Sequence, residues 1–280
     1  MVREDIRYAL SSAGEAPASA PIVLTGDIYA SLRTAAELGY AGIELHLRED
    51  DPLDLGRVKA AAAELGVRFS ALATGRLCTQ GGVNLIDDRP YIVEAALKGM
   101  RTYIEQAAAL ETDLIIGWIK GKVPDGAGRS PYMDRLAVHL KALCAEAAER
   151  GVKVFVEVIN RYETNIFTTA AETLDFIDSR GILNCFVHLD TFHMNIEETD
   201  AIEAIRAAGK RLGYFHVADN TRRYPGSGTL DFIPVLSALK ETGYRGFVSV
   251  ECLPWPDGKT AAERAIGHLK SCEKTLGGIR

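Results

Sequence analysis

Four apolar runs in the second half of the chain each close on a side chain able to ligate a metal: VFVEV at Glu157, FVHLD at Asp190, YFHV at His216 and VSVE at Glu251. An ionised carboxylate at the end of a buried strand is costly unless it is paired or bound to a cation. Each of the four, taken alone, could belong to a buried ion-pair network. Together they form a hard, mostly oxygen donor set, suited to Mn²⁺ first, then Co²⁺ or Mg²⁺, and unlike a thiolate-rich structural zinc site. The expected chemistry is that of a metal-dependent enzyme.

Side chains at such positions need a scaffold that brings strand ends together. Strand-like runs begin near Ile6, Gly42, Arg68, Asp113, Val152, Cys185, Gly213 and Gly246. Helix-like stretches follow them, at 27–38, 56–65, 92–109, 133–149, 170–180, 199–210, 230–242 and 260–275. In MDRLAVHLKALCAEAAER, Leu136, Leu140, Leu143 and Ala147 share one helical face. Gly39, Gly66, Gly151 and Gly243 stand where helices end before the next strand. Eight alternating units with short returns predict an α/β chain folded as one (β/α)₈ TIM barrel over residues 1–280, because parallel strands need crossover helices. An open doubly wound sheet would carry a Gly-rich phosphate turn after an early strand, and none is present. The long connections 11–26, 75–91, 118–132 and 219–229 all follow strands, which places them on the face where such barrels hold their active sites. The Ala/Pro-rich AGEAPASAP segment is expected to lie over the barrel mouth.

Composition narrows the class further. The chain has 280 residues, 47% of them hydrophobic, enough for a sizeable core, and a net charge of −6 that disfavours a nucleic-acid surface. Five cysteines are scattered without paired spacing, as in a reduced cytoplasmic protein. MVREDIRYAL lacks a secretory apolar segment, and no run approaches membrane-spanning length. The expected partner is a small molecule, with neither nucleic acid nor membrane involved.

The strings around the four ligands are long: EVINRYETN at 157–165, LDTFHMNIEE at 189–198, HVADNTRRYPGSGTLDF at 216–232 and VSVECLPWPDG at 248–258. They resemble the xylose-isomerase-like barrels and, within these, the D-tagatose 3-epimerase group, nearest its 5-keto-L-gluconate epimerase branch. The likeness is dense from about residue 150 to 258 and thinner before it, where ATGRLCTQGGVNL and LIIGWIKGK match best. It implies that Glu157, Asp190, His216 and Glu251 hold a divalent metal, and that His193 and Arg222 contact substrate oxygens. Glu163 would be a polar residue over the site. It further implies a dimer or tetramer. The implied reaction inverts C3 of a ketose or keto-sugar acid through a cis-enediolate. Glu157 and Glu251 would act as bases on opposite faces of the sugar.

Other residues have two readings. His193, three after Asp190, reads first as a substrate contact and next as an orienter of a ligand. His188 shares the inward face of Asp190 and reads as a hydrogen-bonded core histidine. Glu44 and His46 alternate in the same way; His46 reads as structural, while Glu44 stays open. Cys252 should face the helix layer as inert packing, and Trp118 reads as sugar wall or core. Arg76, Lys120, Lys122, Arg129, Arg222 and Arg223 suggest a cationic rim on an acidic protein. Lys120 and Lys122 would share a direction if strand four continued, and the keto-gluconate branch is basic there. The expected substrate is therefore a keto-sugar acid such as 5-keto-L-gluconate or D-tagaturonate, held at its carboxylate. A neutral ketohexose (tagatose, psicose or fructose) is the alternative, followed by aldose–ketose isomerisation of the hydroxypyruvate isomerase type. A DNA-repair endonuclease would need more histidines than the six present, and a binder without turnover has no need of two bases.

Overall fold

The computed structural model describes residues 6–48 and 53–278; the first five residues, read above for a leader, lie outside that range. Eight parallel strands close into a barrel: β1 (Arg7–Ala13), β3 (Gly42–Leu45), β4 (Arg68–Ala73), β5 (Leu114–Ile116), β6 (Val154–Glu157), β7 (Cys185–Asp190), β8 (Leu212–Val217) and β9 (Phe247–Val250). Pairing of β1 with β9 completes the ring, with Leu10 opposite Val250. A two-residue strand, β2 (Leu24–Thr25), adds to the outer end of β1. All eight expected strands are present, each starting within two residues of its predicted position.

The crossover helices are α1 (Ile28–Leu38), α2 (Leu55–Glu64), α4 (Pro90–Ala109), α5 (Arg129–Glu149), α6 (Ala170–Ser179), α8 (Ala201–Ala208), α9 (Phe232–Glu241) and α10 (Gly258–Gly278). Their starts are chemically specified. Asp27, Asp54, Thr169, Asp200 and Asp231 each accept backbone N–H groups of the first turn, which would otherwise lack partners. Gly39 ends α1 at φ +78°, a conformation that strongly favours glycine. Two short helices were not expected, α3 (Gly75–Gly81) and α7 (Thr191–Glu197), along with a 3₁₀ turn at Trp118–Lys120. All three lie directly after barrel strands, at the mouth.

Packing divides into two shells. The main core lies between sheet and helices and includes Leu32, Met100, Leu140, Ile177, Leu236 and Leu269. A smaller cluster fills the barrel itself: Ala9, Ala71, Ala73, Ile115, Phe155, Tyr214 and Phe247. Phe155 and Tyr214 stack there at 5.6 Å, and the three alanines leave room for the rings. Because strand side chains alternate, the residue two places after each inward ring also points inward. Phe155 is followed by Glu157 and Tyr214 by His216, so the apolar plug becomes the floor of a polar site. Among the described residues no helix is long and apolar enough to cross a membrane.

Candidate active site

At the ends of β6, β7, β8 and β9, ligand atoms of Glu157, Asp190, His216 and Glu251 lie within 4.8 Å of one another. His216 is the pivot. Its Nε2 donates to Glu44 Oε2 at 2.7 Å, which turns Nδ1 towards Glu251 Oε2 (3.3 Å), Asp190 Oδ2 (3.7 Å) and Glu157 Oε1 (3.8 Å). That Nδ1 is buried and has no hydrogen-bond partner. A nitrogen left without a partner among three buried carboxylates fits a cation held by one imidazole and several oxygens. The Arg222 guanidinium also lies against Asp190 and Glu251, so positive charge is what this corner demands.

The electrostatics show the same demand. Burial, aided by the charge of Glu251, pushes the Glu157 carboxyl up to about 8. Burial would also raise Glu251 and Asp190, but positive neighbours outweigh it: His216 and then Arg222 hold Glu251 down, and Arg222 above all holds Asp190 well down. His216 is held well above the ordinary histidine range, because the Glu44 and Glu251 charges overcome its burial.

Glu44 is the residue that the sequence left open, and its position defines its role. It is fully buried and accepts from His216 Nε2 at 2.7 Å, Tyr214 Oη at 2.9 Å and His46 Nε2 at 2.7 Å. By fixing the His216 ring it sets which nitrogen faces the carboxylates. Glu44→Gln is expected to weaken divalent-metal affinity about 10- to 100-fold while the barrel still folds. Equilibrium dialysis of Mn²⁺ against wild type and variant measures this, and equal affinities would refute it.

Glu163, His193 and Arg222 gather around the same cavity, about 590 Å³ in volume. His193 is buried, and its Nδ1 pairs with Asn160 Nδ2 at 2.7 Å. An amide donor there assigns the ring proton to Nε2, which lies 3.8 Å from Glu157 Oε1 and 4.0 Å from Asp190 Oδ2. Burial lowers this histidine to about 4, so it is neutral and offers a donor to the cavity. Glu163 accepts from Asn160 Nδ2 at 2.7 Å and from Trp118 Nε1 at 3.1 Å, making Trp118 part of the cavity wall. Asn160 ties the two together, a role that NRYET did not disclose. Backbone spacing matters at Gly117, where a Cβ would stand 2.7 Å from Glu157 Oε2. Ala16, Pro17, Ala20 and Pro21 from the Ala/Pro-rich segment line the opening, as expected.

Some expectations are corrected. Strand four ends at Ile116 and turns into 3₁₀ geometry, so Lys120 and Lys122 do not share a direction. Lys120 is fully buried, its Nζ donates to Gly117 O at 3.2 Å, and burial lowers it to about 8. Lys122 is exposed, and neither lysine lines the cavity. Of the expected rim, Arg129 pairs with Glu172 and Arg223 stacks 4.0 Å over Trp255. Arg76 and Arg222 do line the cavity, and Arg76 Nη1 donates to His46 O at 3.1 Å. His188 is not hydrogen-bonded: both ring nitrogens lack partners, and the ring lies edge-on to His216 at 4.1 Å. Burial, with His216 beside it, keeps His188 neutral. Cys252 is buried packing, its thiol pushed up to about 12 by burial.

Comparison with known proteins gives this geometry a family. A sequence model of the xylose isomerase-like TIM barrel matches residues 32–272. The L-ribulose 3-epimerase of Methylomonas sp. (strain DH-1) is 36% identical over 220 residues, covering 78% of this chain and 75% of that protein. The 3-dehydro-D-guloside 4-epimerase of Escherichia coli (strain K12) is 31% identical over 264 residues, covering 88% and 95%. The crystal structure of D-allulose 3-epimerase from Methylomonas sp. in complex with D-allulose superposes with a TM-score of 0.80 at 28% identity, covering 95% of this chain and 96% of that one. The chain therefore belongs to the xylose isomerase-like TIM barrel family and is a sugar epimerase.

Proposed function

We propose that the chain is a divalent-metal-dependent ketose 3-epimerase. The observation that carries this reading is the convergence of Glu157 and Glu251, from β6 and β9, on the partnerless nitrogen of His216 with Asp190 beside it. Glu157, Asp190, His216 and Glu251 would hold the metal, with Mn²⁺ or Co²⁺ the best match to their oxygen-rich set. When bound, such an ion polarises the C2 carbonyl and stabilises the negative charge that an enediolate carries.

The chain's own groups do the rest. One of Glu157 and Glu251 accepts the proton from C3, and the other returns a proton to the opposite face, which inverts that carbon. His193 Nε2–H and the Arg222 guanidinium donate to substrate oxygens and fix the sugar between the two carboxyl groups. Glu163, braced by Asn160 and Trp118, offers a carboxylate oxygen to a hydroxyl farther along the chain.

The lining supports a neutral ketose ahead of a keto-sugar acid. Among the described residues, Glu157, Glu163 and Glu251 face the cavity with Arg76 and Arg222 as its arginine or lysine side chains, and Arg222 is already against Asp190 and Glu251. Arg76 is the specific observation on the other side, as a cation in the lining beside which a substrate carboxylate would lie. The test is a substrate panel in D₂O with metal-loaded protein, following which carbon acquires deuterium. Neutral ketoses including L-ribulose, D-psicose and D-tagatose are compared with 5-keto-gluconate and tagaturonate, alongside Lys120→Ala, Lys122→Ala and Arg76→Ala. Deuterium at C3 with higher kcat/KM for a neutral sugar is the expected result. Preferred turnover of the acids, lost in Arg76→Ala, would reverse the substrate reading. Label at C1 or C2 alone would replace epimerisation by aldose–ketose isomerisation.

A further inference from the structure

At the end of the barrel where strands begin, opposite the candidate active site, lies a second cavity of about 530 Å³. Its walls are the starts of β1, β4, β6, β8 and β9 with the turns that precede them. Arg7, Arg68, Lys153, Lys210 and Arg245 surround it, against two carboxylates, Glu111 and Asp113. Glu111 is already paired with Lys59 at 2.7 Å. Asp113 accepts the Lys153 backbone N–H at 2.8 Å, and burial raises its carboxyl. On a chain with a net charge of −6, this cavity is a local concentration of positive charge.

Helix ends give an ordinary reason for some of these cations. Negative helix C-termini attract them, and Arg68, Lys153, Lys210 and Arg245 each closely follow a helix. The side chains do not serve that purpose throughout. Arg7 donates to Arg245 O, but its guanidinium also lies 4.6 Å from the centre of the Phe247 ring. The Arg68 guanidinium lies 5.7 Å from the centre of that same ring, and Lys153 Nζ is 5.9 Å from the centre of Phe186. Among the described residues Arg68, Lys153 and Lys210 make no salt bridge. Rings thus lie beside Arg7, Arg68 and Lys153, and Phe155 and Tyr214 stack in the wall.

We propose that this cavity binds a small phosphorylated organic anion. Its phosphate would lie among Arg68, Lys153 and Lys210, and its body against the aromatic wall. Guanidinium and ammonium donors suit phosphate oxygens, and the volume falls within the range of small-molecule sites. The site lies on the face of the barrel that carries no chemistry, so its occupation is independent of the epimerase reading.

The full chain is titrated calorimetrically with ADP, pyrophosphate and citrate, at low and high salt. ADP and pyrophosphate are expected to bind, ADP more tightly because its rings use the apolar wall, and citrate more weakly than either. Arg68→Glu with Lys153→Glu should weaken the phosphate probes by about tenfold or more. Lys98→Glu, an exposed charge on α4, should leave binding unchanged, and epimerase turnover without added ligand should be unchanged in every variant. No binding of either phosphate probe at millimolar concentration would overturn the proposal. So would citrate binding as tightly as ADP, or equal weakening by Lys98→Glu.

Discussion

Exhaustive chelation is expected to abolish turnover, and Mn²⁺ or Co²⁺ to restore it. Three buried carboxylates and a partnerless imidazole nitrogen meet in one place, and without a cation their mutual repulsion is offset chiefly by Arg222 and His216. The pH dependence follows from the same groups. Glu157, raised from 4.5 to about 8, keeps its proton in the folded chain when the unfolded chain has lost it. His216 is likewise raised above 6.5. Between about pH 6.5 and 8 the folded metal-free chain therefore binds more protons than the unfolded one, and its stability falls as pH rises. A bound cation needs both sites deprotonated, so its affinity should rise about tenfold per pH unit or more up to pH 8. At roughly one hundred times the dissociation constant, metal should stabilise the fold by about 2.7 kcal/mol, a rise in Tm of roughly 5–10 °C. Calorimetry of chelated and Mn²⁺-loaded protein at pH 6.5 and 8 checks each part. Full turnover in metal-free protein would end the metal reading, and a Tm difference that shrinks with rising pH would refute the assignment of protons to Glu157 and His216.

The metal-ligand candidates were legible because strand alternation is a local rule: an apolar run that closes on an acid or histidine announces an inward polar end. The barrel was legible for a similar reason, since eight such runs with helix-period stretches between them leave few arrangements. What stayed hidden depended on contacts across the barrel or on breaks in periodicity. Glu44 could not be assigned from its neighbours because its partner His216 is 172 residues away. Lys120 was misplaced because the backbone leaves strand geometry at Gly117, which has φ −95° and ψ −115°, and the hydrophobic pattern of LIIGWIK does not mark that change. The cationic rim failed on pairing. Arg129 and Arg223 are occupied by Glu172 and Trp255, partners that a list of charges in loops does not contain.

Glu157→Gln and Glu251→Gln are each expected to lower kcat about 10³-fold or more, because each substitution removes a proton-transfer group and a ligand charge together. Loss of activity alone would not separate chemistry from metal loss, so the two effects need different measurements. At saturating Mn²⁺, confirmed by dialysis, any remaining defect belongs to proton transfer. The two variants should then differ in stability as metal-free proteins. A glutamine at 157 resembles the neutral carboxyl that burial already favours, so Glu157→Gln should match or exceed wild-type Tm at pH 8 and flatten its fall between pH 6.5 and 8. Glu251 is held ionised by His216 and Arg222 despite its burial, so Glu251→Gln leaves those two cations undercompensated and should lower Tm. Deuterium exchange separates the faces further. With one carboxyl intact, a variant should still exchange the C3 proton of one epimer with solvent slowly while failing to convert it to the other. Near-native epimerisation by either variant at saturating metal would rule out a two-base mechanism. Loss of exchange from both epimers in only one variant would instead leave a single carboxyl shuttling the proton on one face.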